Sequence, residues 1–227
     1  MSYPCTAELT VVVIAKECQP GKVKTRLCPP LSHEQAAAIA AASLADTLSV
    51  VSRLPVTRRV LAFAGTPPPE AAEFEVIAQP DGSLDERLAA AFEQCRGRTL
   101  LVGMDTPQLS AQLLVPVLRK SGWNGVDAWF GPACDGGFWA LGFARPAPDL
   151  IRGVPMSIPD TGRFQRQRLV DAGLTVADLP PLRDVDTIDD ARAVAAAAPG
   201  TAFAAAVSSL PHSAFTADSP TPSEIPA

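Results

Sequence analysis

The chain has 227 residues, of which 47% are hydrophobic and 19% are charged, and its formal net charge is -5. This length and balance fit one well-buried α/β domain, alone or with a tail, and exclude a wholly disordered chain. The acidic pI near 5.0 argues against nucleic acid as a main partner, because binding DNA or RNA requires a broad basic surface.

Cysteine usage and the N-terminal sequence predict a location. The five cysteines are odd in number and have no CxxC spacing, which is typical of reduced thiols in a cytosol. Glu8 precedes the first apolar run where a signal peptide would carry basic residues, and no apolar run is long enough to cross a bilayer. We therefore expect a cytoplasmic protein without a membrane span. The oligomeric state stays open.

Short apolar runs alternate with helical patterns along the chain. The predicted strands are Leu9–Ala15, Arg59–Ala64, Phe74–Ala78, Thr99–Met104, Ala128–Phe130, Phe138–Gly142 and Thr175–Asp178. Helices are predicted over residues 33–53, from Ser83 to about Cys95, from Ser110 to about Lys120, over Arg163–Ala172 and from Thr187 onward. Strands that alternate with helices indicate an α/β fold with a mostly parallel sheet and crossover connections.

Composition divides the chain into two parts. Residues 1–196 carry all the predicted strands and helices and form the predicted domain. Residues 197–227 are Ala-, Pro- and Ser-rich with little charge, which is typical of a disordered tail.

Polar residues follow several predicted strands, and the first set is basic. The stretch KECQPGKVKTRL, from Lys16 to Leu27, follows the first strand and holds four cations against Glu17. The acidic points come later: Asp105 after the fourth strand, Asp135 in the turn GPACDGG, and Asp184 and Asp186 before the last helix. In open α/β sheets, ligands bind outside the carboxyl ends of the strands, so we expect these residues on one rim.

This combination suits a nucleotide with a divalent cation. Lys22, Lys24 and Arg26 can neutralise phosphates, and Gly21 lets the backbone turn tightly. Magnesium is usually held by one or two carboxylates, with phosphates and water completing its shell. Asp105 with Asp186 or Asp184 would supply those carboxylates.

Each feature also has a simpler interpretation. The basic loop could be a solvated surface, since neither a Walker A loop nor GxGxxG is present. Asp105 could cap the following turn, and Gly136-Gly137 could be only a hairpin turn. Asp184 and Asp186 could be helix-start carboxylates that the helix dipole favours. Their joint placement on one rim favours the ligand-binding interpretation.

Four segments carry a family resemblance. They are Pro20–Leu27, Gly103–Leu109, Gly131–Gly142 and Leu182–Thr187. In this order they resemble the bacterial nucleotide-diphospho-sugar transferase superfamily, and within it the glycosyltransferase-like, radical-SAM/selenodomain-associated transferase group. That group is similar to phospholactate guanylyltransferase and, more distantly, to molybdenum-cofactor guanylyltransferase. The chain departs from the family pattern at Cys18, at Asp85 and at Met156–Ile158.

The resemblance implies a Rossmann-like GT-A fold, a three-layer sandwich, and a role for each matching residue. Asp105, Asp184 and Asp186 would hold Mg2+ or Mn2+, and Lys24, Arg26 and Asp105 would carry catalysis. The nucleotide site would comprise Ala15, Lys16, Gly21, Lys22, Lys24, Arg26, Gln79 and Gly82, with Gln79 facing the base. The acceptor site would comprise Asp135, Gly136 and Gly137.

Three functions remain open at this point. The favoured one is a nucleotidyltransferase that couples an NTP to a small phosphorylated or phosphonate acceptor and releases pyrophosphate. The first alternative is a glycosyltransferase with a nucleotide-sugar donor, and the second is a nucleotide-binding protein without catalysis. Arg163, Arg166 and Arg168 could hold an anionic acceptor, although a solvated helix face explains them better.

Overall fold

A seven-stranded sheet forms the centre of the protein, for which the computed structural model describes residues 7–211. The strands are β1 (Ala7–Lys16), β2 (Val56–Ala64), β3 (Glu75–Ala78), β4 (Thr99–Gly103), β5 (Ala128–Pro132), β6 (Phe138–Phe143) and β7 (Val176–Asp178). The helices are α1 (His33–Ser52), α2 (Leu84–Glu93), α3 (Val115–Leu118), α4 (Thr161–Asp171), α5 (Ile188–Ala197) and α6 (Ala202–Ser208).

The sheet is mostly parallel, as the alternation of strands and helices predicted. Its strand order is β3-β2-β1-β4-β6-β5-β7. Only β6 runs antiparallel to its neighbours β4 and β5, because the glycine-rich turn after β5 closes a hairpin. The predicted mixed α/β fold is therefore confirmed.

Apolar side chains cover both faces of the sheet. Val11 and Val13 of β1 pack in one cluster with Leu44 of α1, whereas Val12 packs on the opposite face with Phe92 of α2 and Leu169 of α4. Successive strand residues point to opposite faces, so a continuous apolar run is what a strand buried on both faces requires. Helices on both faces make three layers.

Helix α1 begins at the predicted capping box. The Ser32 hydroxyl accepts from the Gln35 amide at 3.2 Å, and the Gln35 side chain accepts from the Ser32 amide at 2.8 Å. The helix has 20 residues, and an 18-residue window within it has a mean hydropathy of 1.3, enough by length and composition to cross a membrane. Half of that window is buried inside the protein, as in the core helix of a folded domain, and one such helix is weak support for a span.

The helix predicted from Ser110 to Lys120 is wrong in extent. The structure has a series of turns, in which amides bond three residues back, followed by the four-residue α3. Pro116 explains the difference, because it has no amide hydrogen and its ring clashes with the carbonyl four residues earlier. A regular helix starting at Ser110 is therefore interrupted.

The folded structure continues past the predicted boundary at residue 196. Helix α6 buries Phe203 and Val207 in a cluster with Ile39 of α1, and the Asp46 carboxylate accepts from the first two amides of α6 at 2.9 and 2.8 Å. The alanine-rich composition did not predict this helix, because only two large apolar residues, four apart, pack it against α1. Residues 212–227 of the predicted tail lie outside the described residues.

Asp85, one of the departures from the family pattern, links two elements. Its carboxylate accepts from the Ser83 hydroxyl at 2.5 Å and from the Gly153 amide at 2.6 Å, and these bonds hold the pKa of Asp85 below its ordinary value. It therefore ties the start of α2 to the turn before α4.

We expect Asp85→Asn to lower the free energy of unfolding by about 1–2 kcal/mol at pH 7, because it weakens two charge-assisted bonds. A lowered pKa contributes stability above the unfolded value of about 3.9, and this is lost as the pH falls through the folded value. The deficit should therefore shrink on acidification from pH 7 to about pH 3. Urea unfolding at both pH values measures it, and an equal deficit at both would contradict a charge-based role.

Candidate active site

The topology brings three polar segments to one edge of the sheet. Parallel β1 and β4 pair in register, Ile14 opposite Gly103, so the basic loop and Asp105 both leave the sheet at their carboxyl ends. An isolated bridge between Ala133 and Leu182 draws the segment with Asp184 and Asp186 to the same edge. The shared rim expected from the sequence is present in the structure.

A cleft of about 200 Å³ opens on this rim. Five of the residues predicted for the site line it: Lys16, Lys24, Arg26, Asp105 and Asp186. Val23, Thr25, Ala40 and Met104 complete the lining. Residues far apart in the chain thus form one pocket with charges of both signs.

Lys24 lies at the centre of these charges. Its ammonium contacts Asp105 Oδ1 at 2.8 Å and Asp186 Oδ1 at 3.5 Å, and only 8% of its side chain is exposed. Burial by itself lowers the pKa of Lys24, but the neighbouring carboxylates outweigh burial and raise the pKa above its ordinary value. Lys24 is therefore a fixed positive charge at neutral pH.

The backbone at Lys24 is also unusual. Its φ of 47° and ψ of 36° lie in the left-handed region, which side chains other than glycine, asparagine and aspartate seldom adopt. Such a conformation costs about 1 kcal/mol or more and persists only where the surrounding contacts hold it. No sequence pattern predicted this conformation.

Asp184 is half-buried and does not line the cleft, but its Oδ1 atom is buried. Its Oδ1 has no hydrogen-bond partner among the described residues. Burial raises the pKa of Asp184 to about 7, and the charges of Asp135 and Asp105 add to the shift. An unpaired buried carboxylate oxygen is costly, and it is satisfied by a cation or by a hydrogen-bond donor.

The three predicted metal ligands are not assembled as one cluster. Within residues 7–211, no group of three or more His, Cys, Asp or Glu side chains is arranged to hold a metal ion. The Lys24 ammonium contacts both Asp105 and Asp186, and so a positive charge already stands between these two carboxylates. One or two carboxylates suit a divalent cation that takes its other ligands from phosphates and water, so Asp105 and Asp186 fit such a cation only after the Lys24 ammonium has moved from between them.

The other residues of the basic loop have different surroundings. The Arg26 side chain is 75% exposed, and its guanidinium contacts Asp186 Oδ2 at 2.9 Å. Lys22 is exposed and does not line the cleft, while its carbonyl accepts from the Lys16 ammonium at 3.2 Å. Gly21, with a φ of 76°, forms the tight turn that was predicted for it. Only Lys24 and Arg26 touch the acidic side of the site.

Cys18, in the same loop, is not a nucleophile at neutral pH. Burial, followed by the charge of Asp105, raises the pKa of Cys18 to about 11. Its thiol therefore stays protonated, and the thiolate is the reactive form.

The residues predicted to meet the base do not line the cleft. The Gln79 amide nitrogen donates to the carbonyls of Ala15 at 2.7 Å and Ala62 at 2.8 Å, so Gln79 joins the ends of β1 and β2. The Ala15 carbonyl is thereby engaged within the protein. Gly82 is exposed and has a φ of 126°. The base-facing role of Gln79 stays a prediction.

The predicted acceptor loop packs tightly against the start of α4. Asp135 Oδ1 accepts from the Gly137 amide at 2.8 Å, and the Gly136 carbonyl accepts from the Gly162 amide at 2.8 Å. A Cβ at Gly136, whose φ is 89°, would lie 1.7 Å from the Pro159 carbonyl oxygen. Glycine is required here by both backbone conformation and space.

We expect Gly136→Ala to lower the free energy of unfolding by about 3 kcal/mol or more, since it adds a backbone clash to an unfavourable φ. The matched control is Gly173→Ala, with a φ of 78° and nothing within 4 Å of the added Cβ. The control should lose only about 1 kcal/mol. Thermal and urea unfolding measure both variants, and equal losses would show that the close approach to Pro159 is unimportant.

The three arginines of α4 are engaged elsewhere. Arg163 pairs with Asp160 at 3.0 Å, and Arg166 pairs with Asp178 at 2.9 Å. Arg168 donates to the carbonyl of Arg152. These contacts agree with the simpler interpretation, in which the arginines belong to a helix surface and do not hold an anionic acceptor.

Supporting residues of the site have no marked sequence signal. The Ser43 hydroxyl on α1 donates to the Met104 carbonyl at 2.6 Å, directly before Asp105. The Gln108 side chain donates to the Arg183 carbonyl at 2.7 Å, directly before Asp184. Ser43 and Gln108 each hold the backbone beside an acidic residue. Their roles become visible only in the folded structure, where distant segments of the chain meet.

The sheet order, the helices on both faces and the rim define the class: this is the Rossmann-like fold of nucleotide-diphospho-sugar transferases. A candidate nucleotide-diphospho-sugar transferase from Desulfovibrio desulfuricans G20 is 26% identical and superposes with a TM-score of 0.78, over 89% of this chain and 94% of its own. Rv0371C of Mycobacterium tuberculosis H37Rv, solved with manganese, is 20% identical with a TM-score of 0.50, over 83% and 98%. CMP:2-keto-3-deoxy-manno-octonic acid synthetase, solved with CTP, is 12% identical with a TM-score of 0.52, over 84% and 99%.

Residues 44–158, just over half of the chain, match the family DUF2064, described as an uncharacterized protein conserved in bacteria. The chain belongs to this family. No curated protein matches it. The narrower radical-SAM/selenodomain-associated group, and the kinship to the two guanylyltransferases, stay predictions.

Proposed function

We propose that this chain is a metal-dependent nucleotidyltransferase that couples an NTP to a small phosphorylated or phosphonate acceptor. The observation that carries the proposal is the buried Lys24 ammonium, held at 2.8 Å from Asp105 and 3.5 Å from Asp186 on the ligand-binding rim. Transfer from an NTP requires positive charge beside the leaving pyrophosphate, and Lys24 with Arg26 supplies it.

In the proposed reaction an acceptor oxygen attacks the α-phosphorus, the bond to the bridging oxygen breaks, and pyrophosphate leaves. Asp105 and Asp186 would hold Mg2+ or Mn2+, with Asp184 close by. When bound, the metal would neutralise charge on the phosphate oxygens. The chain's own part is positioning: the buried stem of Lys24 would keep its ammonium within the cleft as it shifts from the carboxylates to the phosphates, and the exposed Arg26 would turn from Asp186 toward phosphate oxygens.

The neighbours support a nucleotide-using transferase but not one reaction. CTP is bound in the synthetase and manganese in the mycobacterial protein. The name of the Desulfovibrio protein favours a second candidate, a glycosyltransferase with a nucleotide-sugar donor. In that case Asp105 and the metal would hold the donor diphosphate, and Asp135 would bind sugar hydroxyls.

Pyrophosphate release separates the two candidates. An NTP panel with Mg2+ or Mn2+, tested with small phosphorylated acceptors, should release pyrophosphate if the first is right. Transfer or hydrolysis from nucleotide-sugars, without pyrophosphate from any NTP, would favour the second. A nucleotide-binding protein without catalysis would show a metal-dependent rise in melting temperature on adding nucleotide. It would neither release pyrophosphate from an NTP nor transfer or hydrolyse a nucleotide-sugar.

A further inference from the structure

A second cavity lies at the opposite edge of the sheet, near the amino ends of the parallel strands. Its volume is about 400 Å³, twice that of the cleft described above. It is lined by Glu8, Leu9 and Thr10 of β1, Thr57 of β2, the segment Arg96–Arg98, and Ala144 and Arg145 after β6. None of these residues belongs to the proposed nucleotide site.

The cavity concentrates arginines that have no partner within the part of the chain that the structure describes. Among the described residues 7–211, five arginine side chains make neither a side-chain hydrogen bond nor an ion pair, and three of them, Arg96, Arg98 and Arg145, line this cavity. Glu8 lines the same cavity yet lies beyond 4.0 Å of all three guanidinium groups. In a protein whose net charge is -5, this local excess of positive charge is not a by-product of composition.

The backbone that carries these arginines is fixed. The Arg98 carbonyl accepts from the Thr10 amide at 2.9 Å, and the Gly97 carbonyl accepts from the Thr99 hydroxyl at 3.2 Å. The Ala144 amide, beside Arg145, donates to the Asp127 carbonyl at 2.8 Å. Three like charges thus start from anchored positions around one concave space, where a bound anion would relieve their repulsion.

We propose that this cavity is a second ligand site, which takes a phosphate-bearing small molecule. The guanidinium group matches a phosphate bidentately, and it is more weakly hydrated than an ammonium group. The volume lies in the range of small-molecule pockets. A small ligand fits better than an acidic protein segment, because the arginines surround one cavity and do not form a stripe along an extended surface.

Inorganic phosphate and pyrophosphate, titrated into the full chain at constant ionic strength against chloride, test the proposal. Backbone amide NMR distinguishes the two ends of the sheet: Gly97, Arg98 and Ala144 report this cavity, whereas Gly21 and Thr25 report the nucleotide site. We expect saturable shifts at the first set. Removing all three arginines (R96A, R98A and R145A) should weaken that binding by at least tenfold.

The control is Arg119→Ala, which removes another exposed arginine without an ion pair, away from the cavity. It should leave the binding within twofold of the unchanged chain. Shifts confined to Gly21 and Thr25, shifts that chloride reproduces, or unchanged binding in the triple variant would overturn the proposal. Tighter binding of polyglutamate than of pyrophosphate would overturn it in favour of an acidic polypeptide. Different amides report the two sites, so a failure of the proposed nucleotide site would not produce any of these results at the cavity.

Discussion

Asp105→Asn should reduce metal-dependent transfer by about a thousandfold or more while the protein stays folded. The asparagine keeps the size of the side chain but loses the negative charge that a divalent cation and Lys24 require. Loss of about 4 kcal/mol or more of metal-assisted charge stabilisation corresponds to three or more powers of ten in rate. Steady-state pyrophosphate release measures the change.

The fold should survive this substitution. Asp105 contributes its backbone carbonyl to the Val185 amide at 3.3 Å, and that bond is unaffected by the side chain. The control is Asp149→Asn, an exposed carboxylate paired with Arg152 far from the cleft, which should change the rate less than twofold. Melting temperatures of both variants report folding. Normal activity of folded Asp105→Asn would refute the assignment of Asp105 as a ligand.

Lys24→Met should have two opposite effects. Transfer should fall by about 10²–10³-fold, because the buried ammonium beside the leaving phosphates is lost. Binding of Mn2+ without nucleotide should tighten by about tenfold, because Asp105 and Asp186 lose the cation that contacts both of them. Under the proposed function, the Lys24 ammonium of the unliganded protein occupies the position between Asp105 and Asp186 that the metal would take, and bound phosphates would draw it away.

Calorimetric titration with Mn2+ and the thermal shift that Mn2+ produces measure the second effect. Lys120→Met, an exposed lysine remote from the cleft, is the matched control and should match the unchanged chain in both assays. Equal Mn2+ affinity in Lys24→Met and the unchanged chain would show that Lys24 does not compete with the metal. The activity result is independent of this outcome, so the two roles of Lys24 are separable.

Local sequence patterns predicted the strands and most helix starts, because these elements depend on residues that are neighbours in sequence. The run Val11–Val13 is apolar on both faces, and the capping box at Ser32 and Gln35 satisfies amides of its own helix. The prediction of a helix from Ser110 was wrong in extent, because Pro116 interrupts the helix despite a suitable capping residue at Ser110. The tail prediction placed Phe203 and Val207 outside the domain, since their partner α1 lies about 160 residues earlier.

The sequence by itself determined the α/β class, the mostly parallel sheet and the rim on which Lys24, Arg26, Asp105 and Asp186 meet. These follow from hydrophobic periodicity and from the rule that ligands bind at the carboxyl ends of parallel strands. Only the tertiary structure decided which charges touch. It placed Lys24 between two carboxylates and left Asp184 Oδ1 without a hydrogen-bond partner among residues 7–211. It also paired Arg163 and Arg166 of α4 with carboxylates on the surface. Distances of a few ångströms between residues as many as 162 positions apart depend on packing and strand register, which no local pattern encodes.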